Sequence, residues 1–203
     1  MSVQIRSLTI ADVLEITPDQ RSDSRGVFLE SYRADRLAEA IGHQFTLAQV
    51  NLSVSARGVV RGIHFASVPP GQAKYVTCVS GQVLDVIVDL RVGSPTFGRW
   101  DSVLLDDTAR RAVYLPEGIG HGFCARTELA TVTYLCSEPY APQREHAVNP
   151  FDTELGIQWG AEDVTTSARD AAAPSLAEAR AAALLPDYAE CLSYTESLTT
   201  GGR

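Results

Sequence analysis

From Lys74 onward the chain is a series of short, β-rich apolar segments broken by turn signals about every ten residues, and this pattern constrains the fold more than any other feature. Segments 75–79, 83–90, 100–105, 111–115, 121–125 and 130–135 are rich in Val, Ile, Leu and aromatic residues, with Ser80-Gly81 and Gly93-Ser94-Pro95-Thr96-Phe97-Gly98 among the breaks. The succession predicts an all-β sandwich or barrel of antiparallel strands. Segments 75–79 and 83–90 read as a hairpin about Ser80-Gly81. The second strand is apolar on one face, with Asp85 and Asp89 sharing the other with Val83 and Ile87.

The flanks are less regular. Residues 5–16 alternate loosely and stop at Thr17-Pro18, predicting one opening strand, and Asp23-Ser24-Arg25-Gly26 predicts a turn. Ser31 is a candidate cap for a short helix over 32–41 that Gly42 stops, and another strand is expected over 45–51. Near the other end Ser175-Leu176-Ala177-Glu178 is a capping-box pattern, predicting an Ala- and Leu-rich helix, packed on the barrel, that Pro186 ends. Residues 197–203 are small and polar and are expected to fray. The whole is expected to be one domain over 1–203, with the core in 1–188 and a peripheral tail in 189–203.

A formal net charge of -8 argues against nucleic acid or an anionic membrane as partner, because both reward a basic surface. An anionic small ligand would need a local basic pocket, for which Arg25, Arg61 and Lys74 are candidates. No apolar run approaches the roughly 20 residues that span a bilayer, and the N-terminus has no secretory apolar core, so a cytoplasmic location is expected. Cys78, Cys124, Cys136 and Cys191 form no C-x-x-C and read as structural thiols.

Within the stretch 51–65, the fixed cation Arg61 precedes the titratable His64 by three residues. A flat strand would put the two on opposite faces, whereas a bulge, permitted by Gly58 and Gly62, would bring them together. Taken alone, Arg-x-x-His is more often a core imidazole beside a surface arginine. Further on, Pro116-x-Gly118-x-x-His121 places a histidine just after a tight turn and resembles the second motif of cupin barrels. Metal-binding cupins carry His-x-His in their first motif, and here that place reads His64-Phe65-Ala66. A zinc or iron site normally has at least three protein ligands, so an organic acid/base site is expected and no metal.

Several motifs then act together. Asp23-x-Arg25-Gly26, Gln49-x-Asn51-x-Ser53-x-Ser55, the run from Gly58 to His64, Lys74, the segment from Gly93 to Trp100, the segment from Pro116 to Phe123, Asn149-Pro150 and Gly156-Ile157-x-Trp159 are, in order and spacing, similar to the dTDP-4-dehydrorhamnose 3,5-epimerase family over roughly residues 5–186. Val68-Pro69-Pro70-Gly71 and Leu184-Leu185-Pro186-Asp187-Tyr188 resemble the branch that makes deoxysugars for antibiotics. The resemblance implies a metal-free cupin-type (jelly-roll) barrel with no cofactor, a homodimer exchanging strands, and a dTDP-linked 4-keto-6-deoxyhexose as substrate.

Residue by residue, the resemblance implies that His64 is the base, that Asp170 orients its imidazole, and that Tyr134 donates the proton returned to the sugar. Lys74 and His121 match positions near the keto oxygen. Arg25, Glu30, Gln49, Asn51, Arg61, Glu145 and Arg169 match positions that contact nucleotide, diphosphate or sugar, and Tyr140 is a candidate to stack on thymine. Chemistry supports this independently, since a hydrogen beside a ketone can be removed if the enolate is stabilised, and reprotonation on the opposite face inverts the carbon. Phe65 stands where many members carry Tyr, and Arg169 where Lys is common; both are candidates to alter the sugar pocket. Two rival readings are a dTDP-sugar ketoisomerase of the same fold and a sugar-nucleotide-binding cupin without turnover. The second has no need of a His base opposite a Tyr acid.

Overall fold

The computed structural model describes residues 3–200. In chain order the elements are β1 (Val3–Ser7), β2 (Leu14–Pro18), β3 (Gln20–Asp23), β4 (Gly26–Leu29), α1 (Ala34–Ile41), β5 (Gln49–Ala56), β6 (Val60–Ala66), β7 (Lys74–Ser80), β8 (Gln82–Asp89), β9 (Trp100–Asp106), β10 (Ala112–Leu115), β11 (Ile119–Ala125), β12 (Leu129–Cys136), β13 (Glu145–Ala147), α2 (Ala168–Ala171), α3 (Leu176–Ala181) and α4 (Tyr188–Thr200). All strand pairs are antiparallel. They form a six-stranded sheet of order β1-β2-β10-β7-β12-β5, a five-stranded sheet of order β13-β6-β11-β8-β9, and a separate β3-β4 ribbon.

Alternation along the strands builds the core between the two large sheets. Val76 and Cys78 of β7, Val113 and Leu115 of β10, and Ala130 and Val132 of β12 meet Val83 and Ile87 of β8, Val103 and Leu105 of β9, and Phe123 of β11. Each sheet is also covered on its outer face. Leu37 of α1 and Phe45 pack on Leu14, Tyr75 and Tyr114, while Leu155, Trp159 and Leu176 pack on Ile63, Phe65, Val86 and Val88. The doubly covered β8 is therefore apolar on both faces after Gln82 apart from its aspartates, which are both buried and paired: Asp85 with His121, Asp89 with Arg91, Ser94 and Thr96.

Several expectations need correction. The opening segment is two strands, because Asp12, in the left-handed region at φ 70°, turns the chain so that Val3 pairs with Pro18. Strands β7 and β8 are not a hairpin: β7 pairs with β10 and β12, β8 with β9 and β11, and Ser80-Gly81 carries the chain from one sheet to the other. Helix α1 starts after Arg33 without a side-chain cap, and Ser31 uses its carbonyl to accept from the Tyr75 hydroxyl at 2.9 Å. Gly42 does end that helix, at φ 83°.

At the C-terminal end the capping box of Ser175 and Glu178 forms in both directions, but α3 closes at Ala182, short of Pro186, where Ala183 turns at φ 53°. Residues 197–200 belong to α4, whose start is fixed by Asp187 accepting from the Ala189 and Glu190 amides. The remainder of the expected frayed segment, 201–203, lies outside the described residues. The four cysteines are free and buried. No helix among the described residues is long and apolar enough to cross a membrane.

Candidate active site

Two inner-face rows change from apolar to polar at one end of the sandwich. On β12 the row Ala130, Val132 continues into Tyr134, and on β7 the row Cys78, Val76 continues into Lys74. The edge strand β5 faces the same way with Gln49, Asn51, Ser53 and Ser55. Opposite them, β6 turns Ile63 and Phe65 into the outer core and His64 inward.

Arg61 joins His64 through an irregularity in β6. Pairing with β11 runs His121 to His64 and then Phe123 to Arg61, two residues against three, so one extra residue is accommodated at Gly62 and Ile63. Gly62 sits at φ 125°, and a Cβ there would stand 2.5 Å from the Gly122 Cα and 2.7 Å from the His121 carbonyl oxygen. Only glycine meets both conditions. Arg61 donates through Nε to Ser55 Oγ at 3.0 Å and forms no ion pair with a described carboxylate.

Asp170 reaches His64 from α2. The chain from 163 to 166 is stitched to the end of β6: Val60 donates to the Thr165 carbonyl at 2.7 Å, Thr165 to the Gly58 carbonyl at 2.9 Å, and the Thr166 hydroxyl to the Val60 carbonyl at 2.9 Å. Ser167 caps α2 by accepting from the Asp170 amide at 3.0 Å, which sets Asp170 on the first turn facing β6. There His64 Nε2 donates to Asp170 Oδ1 at 2.8 Å, and the Gly62 amide donates to Oδ2 at 3.4 Å. Burial pushes the Asp170 carboxyl up, but the hydrogen bond and charge of His64, with the Gly62 and Ser167 bonds, outweigh it and hold the carboxyl below its usual range. Asp170 therefore remains a carboxylate at neutral pH, fixing the proton on Nε2 and leaving Nδ1 as the proton acceptor.

The cavity in front of His64 has a volume of about 480 Å³ and is lined by Gln49, Asn51, Leu52, His64, Gln72, Lys74, Tyr134, Tyr140, Glu145 and Arg169. His64 and Arg169 also line an adjoining cleft of about 400 Å³ with Arg61, Thr166, Ser167 and Asp170. Three cations, Lys74, Arg169 and Arg61, thus line these two adjoining spaces in a chain whose net charge is -8, and none of them is in an ion pair with a described carboxylate. Burial pulls the Lys74 ammonium down, opposed by Cys136, Glu145 and Asp85, and pushes the Tyr134 hydroxyl up. A half-buried ammonium of this kind gains most from an anion that develops beside it, and a phenol held neutral is a proton donor.

Gln72 and Leu52 line the cavity without having been singled out in the sequence. Gln72 follows the Pro-Pro-Gly turn, two residues before Lys74, and that spacing was its only signal.

Four expected participants stand elsewhere. Arg25 is at the tip of the β3-β4 ribbon, bonded to Asp23 at 2.6 Å, so it adds nothing to this chain's basic pocket. Glu30 follows the ribbon and pairs with Arg33 at 3.2 Å. Neither lines the cavity, because the ribbon belongs to neither large sheet. His121 is Cα partner to His64 but is buried, with Nε2 donating to Asp85 at 2.7 Å, and does not line the cavity. Phe65 is 3 % exposed, in the outer core beside His146, so it is a core residue and not part of the sugar pocket.

The profile of the dTDP-4-dehydrorhamnose 3,5-epimerase family matches residues 7–178. The chain belongs to this family. Among similar epimerases, one from Mycolicibacterium smegmatis named dTDP-4-dehydrorhamnose 3,5-epimerase is 59 % identical over 194 residues, covering 95 % of this chain and 96 % of its own. The 4-keto-6-deoxy sugar epimerase of the novobiocin biosynthetic gene cluster of Streptomyces spheroides superposes with a TM-score of 0.92 at 62 % identity, over 94 % of this chain and 96 % of that one. A 3'-monoepimerase from Streptomyces bikiniensis, solved in complex with dTDP-quinovose, gives a TM-score of 0.92 at 47 % identity, over 95 % and 98 % of the two chains. The expected cupin-type fold, isomerase class and kinship with antibiotic-cluster epimerases agree with these similarities.

Proposed function

We propose that this chain inverts carbon 3, carbon 5 or both of a dTDP-linked 4-keto-6-deoxyhexose. The observation that carries the reading is the Asp170-oriented His64 facing the same cavity as the phenol of Tyr134, among cations that form no ion pair with a described carboxylate. His64 Nδ1 takes the proton beside the ketone, the enolate oxygen is stabilised by Lys74, and Tyr134 returns a proton to the other face. Arg61 and Arg169 supply the forked donors that suit a diphosphate, Tyr140 is an exposed ring for the base to stack on, and Gln49, Asn51 and Glu145 supply polar contacts to sugar and nucleoside. Incubation with dTDP-4-keto-6-deoxyglucose in deuterated water, followed by NMR, tests it. Exchange at ring carbon 3 or 5 with an inverted product is expected; a keto group moved along the ring would establish a ketoisomerase instead.

Replacing Arg61 by Ala is expected to weaken dTDP binding severely, because hydrogen bonds to charged groups contribute about 1.5–3 kcal/mol each and a diphosphate would lose more than one. Calorimetry with dTDP measures it, and unchanged affinity would remove Arg61 from the site. Activity is expected to survive exhaustive chelation. Among the described residues no group of three or more His, Cys, Asp or Glu could hold a metal, and the second cupin histidine is replaced by Ala66. Loss on chelation, restored by one divalent ion, would reverse this.

We also infer a homodimer that completes the site. Val50, Leu52 and Val54 form an exposed apolar row on the edge strand β5, Val27 and Phe28 are exposed on the ribbon, and Arg25 and Glu30 ride with that ribbon, away from their own cavity. Sedimentation equilibrium should find two copies per particle, and a monomer at micromolar concentration would sink the idea. Free, buried cysteines suit the reducing cytoplasm in which we place the enzyme.

A further inference from the structure

A second cleft, of about 320 Å³, lies where α4 crosses the β2-β10 part of the six-stranded sheet, and it shares no lining residue with the catalytic cavity. Its charged lining is Asp12, Arg91, Glu117 and Glu196, and Ile41 and Leu192 give it apolar walls. Glu117 stands out. It is only 4 % exposed, and its Oε2 has no hydrogen-bond partner among the described residues. Buried polar groups are nearly always satisfied, so an orphaned carboxyl oxygen in the lining of a cleft points to something that binds there.

The partners on offer decide the sign of that ligand. Arg91, the only arginine or lysine among the described residues that line the cleft, is already engaged: Nε and the NH2 nitrogen donate to Asp89 at 2.9 and 3.0 Å, with further bonds to the Ala11 carbonyl and Asp12. His43 donates through Nδ1 to the Gln44 carbonyl at 3.1 Å, which leaves an acceptor at its other nitrogen. The groups that act electrostatically with Glu117 are Glu138 from the segment after β12, Tyr114 from β10, and Cys191 and Tyr194 from α4, none of them a cation. An anion would find only Arg91, whose charge is already paired with Asp89 and Asp12. A cation would find Glu117, with Glu196 in the same lining.

We propose that this cleft binds a small organic ammonium ion, its charge paired with Glu117 and its alkyl portion against Ile41 and Leu192. Burial pushes the Glu117 carboxyl up to about 7, so the group is partly protonated when the cleft is empty at neutral pH. A bound cation favours the carboxylate, and binding must then release a proton.

The test is calorimetry of the full chain with n-butylammonium chloride at pH 7, in two buffers of different ionisation enthalpy and with saturating dTDP. Saturable 1:1 binding with net proton release, undisturbed by dTDP, is expected. Glu117→Gln should weaken it about tenfold or more and abolish proton release, since the charged partner is gone. Leu192→Trp, which fills the cleft from an exposed position of α4 without touching the carboxyl, should also block binding and carries the test if the Gln variant fails to fold. No saturable heat, equal binding by folded Glu117→Gln, displacement by dTDP, or preferential binding of sodium sulfate would each overturn the proposal.

Discussion

His64→Ala is expected to abolish both solvent-deuterium incorporation and epimerisation, because without the base no enolate forms. A positioned acid or base typically contributes ~10²–10⁴ in rate, and here both proton-transfer events begin with the same step. The alanine also strips the buried Asp170 of its 2.8 Å donor, so His64→Asn is the control: an amide can still donate to Asp170 but cannot take the proton. Both variants should retain dTDP affinity, since Arg61 and Arg169 are untouched. Exchange at the wild-type rate in either variant would remove His64 from the role of base.

Tyr134→Phe should separate two events that His64→Ala loses together. The ring and its packing beside Val132 are kept, only the hydroxyl goes, and His64 with Asp170 is left intact. Deprotonation therefore continues, and protonated His64 can return a deuteron to the face it came from. The expected result is inversion slowed by ~10²–10⁴ with some deuterium wash-in retained. Epimerisation at the wild-type rate would make Tyr134 a structural residue and require another donor for the second face. His121, which faces Asp85 and not the cavity, is poorly placed for that task.

The sequence carried the strands and the central bulge well, because both are local. Period-two alternation marks a strand wherever it pairs, and Gly62 between Arg61 and His64 marks the place in β6 where that period is broken. Partner choice is not local. Ser80-Gly81 has hairpin chemistry, yet each flanking strand is apolar on the face that closes the sandwich, and burial between two sheets won over pairing across the turn. The same limit applies to the site. Lys74 and Tyr134 are inward because of parity along their own strands, which the chain order reveals, whereas the position of Asp170 depends on Thr165 and Thr166 bonding to β6 more than a hundred residues away, as the 106-residue separation of the Thr166–Val60 bond illustrates. The surroundings of His121 were out of reach for a related reason. Its place after the Pro116 turn is visible in the sequence, but the buried Asp85 that claims its imidazole comes from a different strand.

Strand β5 has two faces with different duties. Gln49, Asn51, Ser53 and Ser55 point inward, while Val50, Leu52 and Val54 point out. Insertion or deletion of one residue within this strand would exchange the rows beyond that point, sending valines into the cavity and polar side chains to the surface. Variation along β5 is consequently confined to substitution, position by position, on either side. Its length is fixed by both faces at once, and changes in chain length have to be absorbed outside it, in the 42–48 approach or in the turn that follows Ala56.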